Sequence, residues 1–494
     1  KTPLETAVPE HTPQDVPTLA SLDLWRLKVT VLVVAMCHFC MSYNAGIVAG
    51  AMLYIPKDAH FANMTGWSRG AVTSSLLAGA AVGASCAWIA DRIGRRPAIL
   101  GLAAVYVIGA FAMASAPNFG FLIIGRAIAG WGVGISSALV NIYISEISPA
   151  ECRGQLGGWA PLLGTFGILV SQVVSVVLGG LSASPAGLWR YQLGYIATPA
   201  LGILALRFLL PESPRWLLAQ GRNEEATTAL QALFPQASKE MLRKEAEVIA
   251  GEMQDSRQER QLSFLELCRR SCSSVAIGVG INMLQQMTGV NVVIYFGPTV
   301  LKSIGFDDTA SLLATIGMST LQLITVAASA VLVDRIGRRP VAISGMLLII
   351  LGHLLLVLAF TARHFSLHDH PWHGVAAVVG MLVFRAAFSF SLGPLPYIMT
   401  AELFKQDARA AGTAISWVSN WGTNFLVCQS FPVIHEALTK SLGTDLAAAV
   451  IFAAYLCFCC AALPIVFAAL PETRGLDLER TMSTDRSEKA HQDS

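Results

Sequence analysis

Charge is what this chain lacks. Of its 494 residues 13% are Asp, Glu, Lys or Arg, while 54% are hydrophobic. A soluble chain carries about 25% charged residues. Mean hydropathy is +0.57, so most of the chain belongs in a lipid bilayer. The net charge of +2 is too small to suggest a nucleic-acid partner. Ten cysteines are present, but most lie inside apolar runs, such as Cys37, Cys40, Cys86, Cys428 and Cys457. They read as small packing residues rather than a disulfide framework. Nothing polar surrounds them to support a metal site, and neither metal nor cofactor is expected. No Ser/His/Asp or phosphate-cradling arrangement stands out, which argues against an enzyme.

What is present is a repeat. Asp-Arg-Ile-Gly-Arg-Arg occupies residues 91–96 and again 334–339. Glu146 and Arg153 are echoed by Glu402 and Arg409, and Pro211-Glu212-Ser213 by Pro471-Glu472-Thr473. The second members trail by 243, 256 and 260 residues. A near-constant offset marks a duplicated half, the construction of membrane carriers with a substrate between two repeats.

Twelve spans of about twenty apolar residues are predicted: 27–54, 70–90, 97–116, 120–145, 156–181, 192–211, 273–302, 309–333, 340–362, 373–400, 411–434 and 445–470. The predicted organisation is a disordered N-terminal segment 1–26, a six-helix half 27–211, a helical linker 212–270, a second six-helix half 271–470 and a short tail 471–494. Placing both termini and the linker on one side gathers 26 of the 34 Lys and Arg there. The positive-inside rule makes that side cytoplasmic. Asn63-Met64-Thr65 is a glycosylation sequon in the first predicted outer loop, which favours a eukaryotic protein of the secretory route. A plasma membrane is the default expectation.

The boxes form tight cytoplasmic turns, and Gly94 and Gly337 can adopt the positive φ such turns need. Asp91, Arg92, Arg95, Arg96, Arg153, Asp334, Arg335, Arg338, Arg339 and Arg409 cluster on that side with Glu146, Glu212, Glu402 and Glu472. The functional expectation is a charge network between the halves that holds this face shut; the alternative is topology anchoring alone. Within the spans, Asn282, Gln285 and Gln286 share a helix face, and Thr288-Gly289 weakens the helix before Asn291. Asn420, Trp421 and Asn424 lie in span eleven and Gln322 in span eight. Gly393-Pro394-Leu395-Pro396 must break span ten, with Tyr397 next. Buried amides are either interhelical glue or a cavity of neutral donors and acceptors with an aromatic wall, suited to a polyhydroxy ligand.

These residues resemble the sugar porters of the major facilitator superfamily, and within them the facilitative hexose transporters. The motifs are Gly125-Arg126, Tyr143-Ile-Ser-Glu146-Ile-Ser-Pro149, Pro211-Glu-Ser-Pro-Arg215, Gln285-Gln286-Met-Thr-Gly-Val-Asn291, Gly393-Pro-Leu-Pro396, Ala401-Glu-Leu-Phe404, Asn420-Trp421 with Asn424, and Pro471-Glu-Thr473. The resemblance implies an all-α membrane fold of twelve helices working by alternating access. It implies that Gln285, Gln286, Asn291 and Asn424 bind sugar hydroxyls, with Trp421 on the inner side and Tyr397 where many relatives have Trp. The chain departs from the pattern at Pro161, Asn282, Gln322 and Ser389, where relatives carry Gln, Gln, Asn and Glu.

Asn44 stands where proton-linked relatives carry Asp, and an amide does not exchange a proton in the useful range. The spans contain no mid-membrane carboxylate. His38 and His353 could titrate. Facilitated diffusion of a hexose is therefore favoured, with Arg126 resting on carbonyls. The alternatives are another polyhydroxy solute (polyol, inositol, pentose), proton symport, and a non-transporting sensor. Arg385, mid-span without an acid, is either satisfied internally or contacts an anionic substrate oxygen.

Overall fold

The computed structural model describes residues 19–86, 88–181, 187–258, 266, 269, 271–365, 371–404 and 406–472. The expected disordered segment falls outside them up to residue 18, and so does the tail from 473. Helices are the regular elements, and the described residues contain no strand. Nine described helices are long and apolar enough to cross a membrane. Three further expected spans are helical but less apolar or interrupted: Gly66–Ser85, Leu188–Gly194 followed by Ala197–Ala205, and Gln406–Leu442. Two of them explain their own polarity. Gly66–Ser85 packs against both Phe119–Ile147 and Gln406–Leu442, so its Ser and Gly face protein rather than lipid.

Small residues set that packing. A Cβ on Gly79 or Gly83 would lie 2.2 Å from the Ala127 carbonyl or 2.1 Å from that of Trp131. A Cβ on Gly130 or Gly134 would lie 2.0 Å from the carbonyls of Leu76 and Ala80. The two helices thus present reciprocal small-xxx-small faces. With little hydrophobic drive between helices in lipid, such close backbone approach supplies the packing energy.

The repeated boxes adopt repeated turns. Gly94 has φ 101° and Gly337 φ 103°, as expected. The glutamates of the two Pro-Glu motifs cap the helices that start just after these glycine turns. Glu212 Oε1 accepts from the N–H of Arg95 at 2.8 Å and of Arg96 at 3.2 Å. Glu472 accepts from the N–H of Arg338 at 3.0 Å and of Arg339 at 3.1 Å. A carboxylate at a helix N-terminus meets both orphan donors and the positive end of the dipole. Glycine is needed twice over at each turn, for its φ and for space. A Cβ would stand 2.4 Å from Glu212 Oε2 at Gly94 and 2.7 Å from Glu472 Oε2 at Gly337.

The expectation of a bond between halves is not met by the charge pairs seen among the described residues. Arg95 pairs with Glu146 at 2.9 Å and with Asp91 at 3.0 Å. Arg338 pairs with Glu402 at 2.9 Å. Each of these pairs stays within one half. Arg92 stacks on Trp88 at 4.6 Å, and Arg339 donates to the Phe467 carbonyl at 2.7 Å. Arg153 is half-buried and Arg335 exposed. The side chains of Asp334 and Arg409 lie outside the described residues. The reason is geometric: each box and its partner glutamates lie at neighbouring helix ends of one repeat, closer than the other repeat's ends.

Among the described residues, ion pairs and hydrogen bonds between the halves lie toward the opposite face. Lys57 pairs with Asp308 at 2.6 Å. The Gly66 N–H donates to the Glu436 carboxylate. Ser74 Oγ donates to Gln429 Oε1 at 2.7 Å, and Gln429 Nε2 to the Trp67 carbonyl at 3.3 Å. The linker helices Pro214–Ala219, Asn223–Leu233 and Lys239–Gln258 begin against the first half, where Trp216 Nε1 donates to the Asp91 carbonyl at 2.8 Å.

Candidate functional site

Two broken helices build the site. The first break separates Cys272–Met287 from Val290–Ser303 at Gly289, whose φ is 77°. The second separates Pro371–Phe390 from Leu395–Leu403. A proline has no N–H to give the carbonyl four residues earlier. Pro394 therefore orphans the Phe390 carbonyl and Pro396 that of Leu392. Both find side-chain donors. Ser329 Oγ donates to Phe390 O at 2.8 Å, and Gln285 Nε2 to Leu392 O at 2.8 Å. The same amide reaches Gly393 O at 3.0 Å, because the Tyr397 N–H turns to Pro394 O instead.

Around Gln285 the amides close on one another. Asn420 Nδ2 donates to Gln285 Oε1 at 2.7 Å and to Asn282 Oδ1 at 3.2 Å. Gln286 Nε2 donates to Asn420 Oδ1 at 2.9 Å and to Gln285 Oε1 at 3.2 Å. Asn291 Nδ2 donates to Gln286 Oε1. Asn282 Nδ2 donates to Gly278 O at 2.8 Å and to Thr400 Oγ1 at 3.1 Å. All of these amides are buried. Asn424 lies one turn beyond Asn420, where its Oδ1 accepts from Cys428 Sγ at 3.2 Å. The Trp421 indole N–H is buried without a partner and free for a ligand acceptor.

The predicted site residues thus divide. Asn282, Gln285, Gln286 and Asn291 form one network, with Asn424 and Trp421 on the adjoining face of Gln406–Leu442. Gln322 stands apart, accepting from Arg385 Nε at 2.9 Å and from Nη2 of the same residue. Tyr397 is 46% exposed, with its ring on Trp417 at 4.3 Å. Sequence reading did not place Asn420 at the network's centre, and it missed Thr400 and Ser329. Ser329 lies in an Ala-Ala-Ser-Ala run that carries no signal of its own. Only the two orphaned carbonyls predict that some donor must reach them.

The coupling position is equally concrete. Arg126 is fully buried. Its Nε donates to Val72 O and its Nη1 to Asn44 O, each at 3.0 Å. Asn44 Nδ2 turns back to Cys40 O at 3.2 Å. Neither Asn44 Oδ1 nor Arg126 Nη2 has a partner. Of the two histidines, His353 Nδ1 contacts the Ile349 carbonyl at 2.9 Å, with its ring edge-on to Phe384. His38 is buried in the first helix. Gln172 bridges the halves near the outer side, donating to Gly46 O at 3.2 Å and facing Thr315 Oγ1 at 3.4 Å. Pro161 is exposed on the same helix. Asn63 is exposed. No group of His, Cys, Asp and Glu suited to a metal occurs among the described residues.

Residues 30–483 match the family model "Sugar (and other) transporter". The chain is 32% identical to a glucose transporter of Staphylococcus epidermidis, over 88% of this chain and 92% of that protein. It is 31% identical to a D-xylose transporter of Levilactobacillus brevis, over 90% and 93% respectively. Its fold is similar to the inward-open structure of the E. coli xylose transporter, with a TM-score of 0.77 and 26% identity over 92% of this chain and 98% of that one.

Proposed function

The chain belongs to the sugar transporter family, and on that premise we propose that it carries hexoses down their gradient by alternating access, uncoupled from protons. The observation that carries this reading is Arg126 held by the carbonyls of Val72 and Asn44. Among the described residues no carboxylate is bonded to it that could load and unload a proton. The amide network of Gln285, Gln286, Asn291 and Asn420, with Asn424 beside it, supports a neutral polyhydroxy substrate. Its groups both donate and accept, as sugar hydroxyls do. The free indole N–H of Trp421 adds a donor at the inner edge. The proposed location is the plasma membrane, with both termini cytoplasmic and Asn63 glycosylated outside, as the Lys/Arg distribution and the Asn63-Met64-Thr65 sequon support.

The outer face is closed by Lys57–Asp308 and by the Glu436 and Gln429 contacts. The box networks act within each half, stiffening it as a rocking body. Opening the outer face requires breaking the first set while the second persists.

Uptake of labelled glucose by proteoliposomes of the purified protein tests the reading. Saturable uptake that stops at equilibrium and ignores an inward proton gradient is expected. Accumulation driven by the gradient would overturn uniport and direct attention to His38 and His353. A second reading, a pentose, polyol or inositol carrier, is favoured by Pro161 and by the similarity to a D-xylose transporter. Strong competition by xylose or inositol with weak competition by glucose would support it. Absence of flux for any of these solutes would leave only a sensor.

A further inference from the structure

Arg385 is unexplained by a neutral sugar. It lies in the last third of Pro371–Phe390 and is only 3% exposed. Its described hydrogen bonds, from Nε and Nη2, both end on one atom, Gln322 Oε1. A second buried guanidinium, that of Arg126, has an Nη2 with no partner. An uncompensated cation inside a membrane protein is costly and marks a substrate or ion path.

The donor inventory points the same way. Arg385 occupies the Gln322 carbonyl oxygen with two bonds, which turns that amide into a donor only. Gln322 Nε2 and Arg385 Nη1 have no described partner. Beside them lies the unpartnered hydroxyl of Ser389, one turn along the same helix. This end of the site offers positive charge and N–H groups, whereas the Gln285–Asn420 end offers mixed amides. A planar guanidinium matches a carboxylate as a two-bond fork.

We propose that the protein also carries monocarboxylate sugar acids, hexuronates and aldonates, with the carboxylate taken by Arg385 and Gln322 Nε2 and the hydroxyls by the amide network. This inference rests on the transport reading above. Its electrical consequence separates it from that reading. A neutral hexose moves no net charge, whereas a uniported sugar acid carries one negative charge per cycle, so an inside-positive potential drives its accumulation.

The test uses the purified full-length protein in proteoliposomes with labelled glucose and labelled glucuronate, at zero and at inside-positive potential. Saturable glucuronate uptake raised by the positive potential is expected, with glucose uptake indifferent to it. In Arg385→Gln the ratio of glucuronate to glucose flux falls by more than about tenfold, the scale of a charged hydrogen bond. In Arg385→Lys much of that ratio returns. Glucose flux with no glucuronate flux and no competition by excess glucuronate would overturn the inference and leave the hexose reading standing. Glucuronate flux whose ratio to glucose is the same in Arg385→Gln would overturn the role of Arg385. Flux of neither solute would overturn both readings.

Discussion

Gln285 donates its side-chain amide to the Leu392 carbonyl at 2.8 Å, the acceptor that Pro396 leaves without a helical donor. A second bond reaches Gly393 O at 3.0 Å, so both amide hydrogens are engaged. Its Oε1 already accepts from Asn420 and Gln286. A sugar hydroxyl that engages Gln285 must displace one of these partners. Displacing the carbonyl bonds frees the break in the tenth span, so occupancy of the site and bending of that helix share one side chain.

Ser329 and Pro394 give the cleanest test of the orphaned-carbonyl account. Ser329→Ala leaves Phe390 O buried without a donor and should cost about 1–3 kcal/mol. Pro394→Ala restores a helical N–H to that carbonyl. The double variant should therefore be more stable than Ser329→Ala alone, a non-additivity readable by thermal melting in detergent. Strictly additive losses would refute the pairing.

Glu212 and Gly94 act as one unit. Glu212→Gln keeps an acceptor for the N–H groups of Arg95 and Arg96 but removes the charge, with an expected loss of about 0.3–1 kcal/mol. Gly94→Ala is expected to be worse, because the alanine needs φ 101° and its Cβ meets the Glu212 carboxylate. The combination Gly94→Ala with Glu212→Ala should recover part of the steric loss and none of the backbone strain. Melting temperatures of the four proteins separate the two causes.

Asn44→Asp places a carboxylate beside the unpartnered Nη2 of Arg126. Ionised, the new side chain forms a charge-assisted bond worth about 1.5–3 kcal/mol; protonated, it does not. Glucose exchange by the variant should therefore be slower at neutral than at acid pH, while the native protein changes little. Equal pH profiles for the two proteins would count against the uncoupled reading of this position.

Asp308 ties the two halves at the outer face through Lys57 and also holds Lys302 at 2.7 Å. These groups are partly exposed, so Asp308→Asn should shift the equilibrium between states by no more than about 1 kcal/mol. Thr299, which lines the neighbouring cavity of about 560 Å³, reports that shift when replaced by cysteine. Labelling of Thr299→Cys by a membrane-impermeant thiol reagent should quicken up to about fivefold in the Asp308→Asn background. Unchanged labelling would mean that this pair does not hold the outer face.

How far the sequence reached depends on how local the cause is. The low charge, the apolar runs and the offset between Asp91 and Asp334 were enough for a duplicated helical membrane protein, because lipid demands helices wherever backbone is exposed to it. The turns at Gly94 and Gly337 and the breaks at Gly289 and Pro394 were readable for the same reason, since φ limits and missing N–H groups are properties of the residue itself. Less was readable of the partnerships. Among the described residues Arg95 and Arg338 pair with glutamates of their own half, because which helix ends adjoin is a matter of packing. Ser329 capping Phe390 O, Asn420 at the centre of the amide network, and Gln322 with its Oε1 held by Arg385 are contacts across 61, 135 and 63 residues. Only tertiary structure decides such contacts, because a buried polar group takes whichever partner the folded helices bring within reach, and nothing in its own neighbourhood along the chain names that partner.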